Sequence, residues 1–567
     1  MEIVAIAIVI STMVATWTSF VVSFLYKDLL TWPAIISFFV TFVIVLKYTS
    51  PLRPSPKLGE GLGRGTWMFA ITIATWSVYL IKLFSQMLVE TPEGIWAGGS
   101  NVWGDWAGHI GYIANWLYGA NWPPQNPWYS GVRLAYPFLF DYTSAILAKI
   151  GLSIPWSLQL PGIVFGIILV ILIYTLTVKL TKNNVAAVLA ISIFMFSGGL
   201  GFMYKDTKEL THSYEHNIQW VNFIISEMVP QRGILLGLTA ALTIFILWES
   251  EYFLLAGLVA GLIPFFHAHT YLMVMSISGI YFLYRPSKKW FSFFIPAIIM
   301  AIPQYLYFLP QTKGFIRWLP GWAAHVQNDN WLWFWFKNMG FMLPLLPIAW
   351  FTSFFKERRL FWLYLPFVII FIVCNLWIFQ PWENDNSKML RYWYLGSAIL
   401  ASWFLVLLAQ KNFFGKLLSV TLFFLIIYSG MYDARSWLDF EKNKLMLWSR
   451  SDIESAEFIK ANTTRDSIFL TNDNHNHWLV DLSGRKIVLG FRGWLWSWGI
   501  NYSERESDVR AIFTGSADIA DLLHKYSIDY VLIDEGEKSN FGADEKYFVD
   551  KYPVLLDTGF QKVFDVR

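Results

Sequence analysis

Asp105 and His109 stand four residues apart in Asn101-Val102-Trp103-Gly104-Asp105-Trp106-Ala107-Gly108-His109. On a helix that spacing puts an acid and an imidazole on one face. Such a pair can take a proton from an attacking hydroxyl or bind a metal ion. Asp105 equally fits an N-cap for a helix running on to Leu117. His267-Ala268-His269 lies between two apolar segments of about half the usual length. Ionisable groups at membrane depth are costly, and those that persist there usually serve function. Two His at i and i+2 can ligate one metal only from extended or turn backbone. The plain alternative is a pair of hydrogen-bonded buried imidazoles.

A third stretch runs Gln380-Pro381-Trp382-Glu383-Asn384-Asp385-Asn386-Ser387-Lys388-Met389-Leu390-Arg391. Glu383 and Asp385 can hold a divalent cation such as Mg or Mn, and Lys388 and Arg391 the phosphate it bridges. A solvated loop with a surface ion pair has the same composition. Arg232, after Pro230-Gln231, opens an apolar helix. A guanidinium beside free helix N–H groups is an anion site, though Arg also snorkels to headgroups. Just upstream, Glu215 and His216 in Tyr214-Glu215-His216-Asn217 are further possible metal ligands. Prolines at 123, 124, 127 and 137 stiffen the stretch that ends in Tyr136-Pro137-Phe138-Leu139-Phe140-Asp141, where Tyr136 is a candidate substrate contact. Last comes Arg492-Gly493-Trp494-Leu495-Trp496-Ser497-Trp498-Gly499. Trp494 and Trp496 could stack on a sugar, or plug one domain onto another.

The elements that must carry these residues are membrane spans. The chain is 56% hydrophobic and only 15% charged over 567 residues, and its apolar residues come in blocks long enough to cross about 30 Å of hydrocarbon. We place about thirteen spans, near 3–25, 30–47, 67–88, 157–179, 184–203, 232–248, 252–266, 268–284, 290–309, 331–354, 360–379, 393–410 and 416–431. The pair 252–266 and 268–284 is expected to form a hairpin dipping from the cytoplasmic side. Lys47, Arg53, Lys57 and Arg64, then Lys179, Lys182, Arg285, Lys288, Lys289, Lys356, Arg358, Arg359, Lys411 and Lys416, fall on alternate loops. The positive-inside rule makes that side cytoplasmic. The N-terminus is then cytoplasmic, as a retained first span. The long loops 89–156, 204–231, 310–330 and 380–392 face outward with the C-terminal domain.

The expected organisation is a helical membrane domain over 1–435 and a soluble extracytoplasmic α/β domain over 445–567. Strand-like runs at 467–471, 486–490, 529–533 and 562–566 alternate with helical patterns such as 517–526. Ser451 is expected to be the N-cap of a helix with acidic Asp452 and Glu454 in its first turn. The stretch from Ser50 to Gly65 is expected to be a linker. A net charge of +3 gives no case for nucleic acid, and a lone Cys374 excludes an intrachain disulfide.

This arrangement resembles the polyprenyl-phosphate-dependent glycosyltransferases of the GT-C superfamily, and especially the layout of oligosaccharyltransferases and protein O-mannosyltransferases. The resemblance is carried by architecture along the whole chain. In motif, Trp-Gly-Asp105-Trp-x-x-His109, Pro230-Gln-Arg232, His267-Ala-His269 and Trp382-Glu-Asn-Asp385-Asn386-x-Lys388 also resemble a set found together in uncharacterised bacterial and archaeal proteins of this type. The paired acids common in the first loop of that superfamily are here a single Asp105. The Trp-Trp-Asp-Tyr-Gly signature of oligosaccharyltransferases is absent.

The resemblance implies a polyprenyl-phosphate-linked sugar donor reached from among the membrane lipids, with a glycan or protein as acceptor. Asp105, helped by His109, would be the base, and Arg232, Lys388 or Arg391 would hold phosphate. Two rivals make different demands. A lipid-linked-glycan transporter or flippase would show inverted repeats. A non-catalytic cell-envelope assembly protein would not need Asp105, His269 and Lys388 to converge.

Overall fold

The structure, a computed structural model, describes residues 1–49, 64–204, 208–309, 314–515 and 519–567. The expected linker up to 63, with Arg53 and Lys57, lies outside them, as does the side chain of Arg64. Among the described residues, nine helices are long and apolar enough to cross a membrane, or ten if one bent pair counts as a span. The chain is a polytopic helical membrane protein with a strand-containing C-terminal region.

Every expected block forms helix, but not every block is one straight span. The block at 184–203 stops early, as the 12-residue helix Asn184–Met195. The block at 331–354 splits into Trp331–Met339 and Met342–Lys356, which meet at 91°. Gly340, at φ 55 and ψ −138, ends the first of these in a conformation that side chains rarely adopt.

The hairpin is real. Gly257 packs on Phe293 and Gly261 on Met300, while Gly237 packs on Thr270 and Trp248 on Tyr281. Phe253–Leu262 therefore runs parallel to Lys289–Phe308, and the segment after His267 runs parallel to Arg232–Glu249, the helix that turns back into Phe253–Leu262. His267 sits at the apex on extended backbone, φ −163 and ψ 97, inside Pro264–Tyr284.

Ion pairs mark the two ends of the bundle. Glu2 pairs with Lys179 at 3.4 Å, Lys179 donates to Ser250, and Glu249 and Glu251 pair with Arg359 and Lys289. The beginning of the first helix, Glu2–Tyr26, thus lies at the basic end. Just past its other end, Asp28 approaches Arg465 of the C-terminal region at 3.8 Å.

The C-terminal region holds a five-stranded sheet in the order Lys486–Ile487, Ile468–Leu470, Tyr530–Ile533, Lys562–Asp565, Val554–Asp557. The first three strands are parallel, and Lys562–Asp565 runs antiparallel to both of its neighbours. Val554–Asp557 was not expected from sequence, because its apolar residues do not alternate. The first helix of this region is Arg450–Asn462, so the expected N-cap Ser451 lies inside it and the cap falls two residues earlier. Its N-cap is Ser449, whose hydroxyl accepts from the Asp452 N–H while the Asp452 carboxylate accepts from the Ser449 N–H. Such reciprocal caps contribute about 1 kcal/mol. Leu445–Ser449 is a strand as well, pairing with Gly94–Ala97, which pairs in turn with Leu88–Thr91. This three-stranded sheet stitches the first long loop to the C-terminal region.

Candidate active site

The helix Ser100–Tyr118 organises the site. It begins after Gly99, so Asp105 lies in its second turn and is not an N-cap. The helical period then divides its residues between adjacent faces. Gly104, Gly108, Gly111 and Asn115 share one face. Of these, Gly108, Gly111 and Asn115 meet the C-terminal region through Trp494, Asp481 and the Gly484 carbonyl. Asn101, Asp105, His109, Tyr112 and Trp116 share the next face and turn to the bundle.

His109 is buried and spent. Its Nδ1 lies 2.9 Å from Asp141 Oδ2, and the other oxygen of Asp141 accepts from Arg232 Nη1 at 2.7 Å. Arg232 also donates to Ser144 Oγ at 2.5 Å and lies over the Phe140 ring. The three side chains form a closed, buried network. Burying charges stabilises only when each is paired, and breaking one pair costs about 3–5 kcal/mol. The network therefore fixes Ser100–Tyr118 to the head of Arg232–Glu249. It also means that the Arg232 guanidinium is already neutralised where it was expected to hold phosphate.

Arg391 is committed in the same way. Its Nε lies 2.9 Å from Glu227 Oε1, it donates to the Val221 carbonyl and to Ser226, and it lies over Trp220. It is 1% exposed. Each of the two guanidiniums expected to hold phosphate thus already has a buried carboxylate partner.

Asp105 differs from these. It is half-buried, and its carboxylate accepts one hydrogen bond, from Gln231 Nε2 at 2.8 Å. Burial raises its pKa above the ordinary carboxylate value, against the opposing fields of His109 and Lys388. Lys388 is close enough to act electrostatically on Asp105, His267 and His269 alike. It pairs with Asp385 at 3.0 Å and keeps 14% of its side chain exposed. His269 Nε2 lies 2.6 Å from Gln380 Oε1, His267 Nδ1 lies 2.7 Å from Thr270 Oγ1, and the two rings are 5.3 Å apart. Lys388 thus lies within electrostatic reach of Asp105, His267 and His269, and Tyr136 within reach of Asp105 and Asp385.

Other candidates fall elsewhere. Glu215 is exposed, while His216 stacks on Tyr204 and its carbonyl accepts from Lys337. Glu383 faces Arg317 at 3.9 Å, with both side chains largely exposed. Among the described residues, no three His, Cys, Asp or Glu side chains lie close enough together to hold a metal ion. The six expected metal ligands do not form one donor set.

Trp494 packs against Gly108, 5.2 Å from Trp128 between ring centres, and Trp498 lies 6.1 Å from Tyr136. These rings plug the C-terminal region onto Ser100–Tyr118. Trp496 points outward, 51% exposed.

Asp141, Glu227 and Gln231 were missed from the sequence. A charge count gives the missing signal: a buried Arg at a span mouth needs a carboxylate, and Asp141 and Glu227 are the nearby acids set in apolar runs.

Fold and site together define a multi-pass helical membrane protein with an acid-bearing loop helix clamped beneath a C-terminal α/β region. No family model and no curated protein matches the sequence. Among solved structures, the chain is similar to the Archaeoglobus fulgidus oligosaccharyltransferase. The apo form is 12% identical over 83% of this chain and 70% of that one, with a TM-score of 0.48. The form tethered to an acceptor peptide containing the NVT sequon is 12% identical over 84% and 70%, with a TM-score of 0.46. The chain is also similar to ArnT from Cupriavidus metallidurans bound to undecaprenyl phosphate, at 10% identity over 89% and 98% and a TM-score of 0.43.

Proposed function

We propose that the chain is an integral membrane glycosyltransferase that moves a sugar from a polyprenyl-phosphate carrier to an acceptor hydroxyl on the external face. The observation that carries this reading is Asp105, a half-buried acid with one hydrogen bond, within electrostatic reach of Lys388. In the step, the acceptor oxygen attacks the anomeric carbon and passes its proton to the Asp105 carboxylate. The bond from that carbon to the phosphate oxygen breaks, and the lipid phosphate leaves as an anion. Lys388 meets the leaving charge, exchanging Asp385 for phosphate. The acid limb of the rate should lie above the usual carboxylate range, because burial makes Asp105 harder to ionise. Basic loops opposite the C-terminal region favour a cytoplasmic N-terminus and an extracytoplasmic domain over 445–567.

Purified protein incubated with labelled polyprenyl-phosphate sugars and cell-envelope acceptors should release lipid phosphate. Absence of release from every donor, in protein that is folded, overturns the proposal.

A further inference from the structure

At the basic end of the bundle the helices do not close. A narrow cleft opens there, lined among others by Leu176, Phe245, Trp248, Leu363, Phe367 and Ile399. Its walls come from the helices Ile154–Thr181, Arg232–Glu249, Pro264–Tyr284, Arg358–Leu376 and Ser387–Ala409. The one charged residue that lines it, Glu249, is already neutralised by Arg359. Tyr364, also in the lining, spends its hydroxyl on Ser397. Apart from the Trp248 indole N–H, which is buried without a hydrogen-bond partner, and the Tyr281 hydroxyl, the wall is apolar, so the cleft suits a hydrocarbon chain.

The rim adds charge. Lys182, Arg285 and Arg358 lie within a few residues of the lining residues Leu180, Tyr281 and Leu360. All three are exposed, and among the described residues none is paired with a carboxylate. Arg285 and Arg358 lie only over the rings of Tyr284 and Phe354. Exposed cations at a membrane surface attract anionic lipid. The cleft is also remote from the candidate active site. Arg232 and Glu249 are the two ends of an 18-residue helix, and at 1.5 Å per residue that is about 25 Å.

We propose that this cleft is a binding site for one acyl chain of an anionic diacyl phospholipid, whose headgroup rests on Lys182, Arg285 and Arg358. The lipid would act as a structural wedge that fills the gap among five spans, separate from any lipid consumed in the reaction. This inference does not depend on the proposed transferase activity.

The test uses the full chain, purified in detergent and supplied with phosphatidylglycerol carrying a photoreactive group in its acyl chain. Labelled positions are then mapped by mass spectrometry. Label is expected on 245–249 and 360–367 and on Ile399. Unlabelled phosphatidylglycerol should protect these sites roughly tenfold better than phosphatidylcholine with the same chains. Leu363→Trp, which fills the cleft, should cut labelling about tenfold. Arg285→Glu with Arg358→Glu, at exposed positions that leave the wall intact, should abolish the headgroup preference. Label confined to outward residues such as Ile299 and Phe351 overturns the proposal. So does equal protection by the two phospholipids, or protection by polyprenyl phosphate alone. Unchanged labelling in a folded Leu363→Trp protein does the same.

Discussion

Two carboxylates on one side of the molecule meet opposite fates. Asp141 is buried and fully paired, one oxygen to His109 and the other to Arg232. Asp105 is one helical turn before His109 on the same face, yet it is half-buried and holds only Gln231. The paired acid is a rivet. The underpaired acid retains accessible lone pairs and a raised pKa, which a proton acceptor needs. Around Asp141 the charges are paired and buried, whereas Asp105 and the Lys388–Asp385 pair remain partly exposed.

The sharpest way to break this contrast is Asp105→Asn. Transfer should fall by about 10²–10⁴-fold, the usual range for loss of a proton acceptor. Thermal stability should hold, because only the Gln231 bond is altered. A variant with full activity would remove Asp105 from the chemistry. One that unfolds would show that Asp105 is a rivet too.

Asp141→Asn is the reciprocal experiment. It strands Arg232 without a buried counter-charge and should destabilise the protein by about 3–5 kcal/mol. The melting temperature should drop clearly, with activity per folded molecule falling less than in Asp105→Asn. If unfolding is unchanged while activity vanishes, the two acids have exchanged roles.

The same contrast explains what could be seen in the sequence. Apolar blocks report spans directly, since lipid demands about 20 apolar residues whatever they pack against. The helix–break–helix at Gly340 was hidden, because its φ is set by the fold and a Gly between apolar runs does not announce it. Whether Asp105, His269 and Lys388 meet could be asked from their separate loops but not answered there. The pairing state of Arg232 and Arg391 could not, because Asp141 and Glu227 are 91 and 164 residues away in the chain. Whether a charge is free depends on contacts that only the folded chain makes.

A smaller effect is expected at the plug between the two regions. Trp494 is half-buried, packed on Gly108 and Trp128. Trp494→Ala should cost about 2–3 kcal/mol, less than a fully buried Trp, and should expose the junction to proteolysis. Trp496→Ala removes an outward ring and should leave stability unchanged within about 0.5 kcal/mol. Equal losses from both would mean that Trp496 packs against something as well.

The finest test lies at the same junction, in Asp481. This acid is wholly buried against Gly111, and neither carboxylate oxygen has a hydrogen-bond partner among the described residues. Burial raises its pKa well above the ordinary value. A raised carboxyl pKa contributes stability that is complete below the unfolded value, near pH 4, and is lost as pH rises toward the folded value. Across that window stability should decline by about 1.4 kcal/mol per pH unit from this group alone. Asp481→Asn keeps the shape, carries no proton to lose, and should flatten this part of the pH profile. Melting curves of both proteins between pH 4 and 8 provide the check: parallel profiles would mean that Asp481 is ionised and solvated at the junction, which would then be looser than its packing indicates.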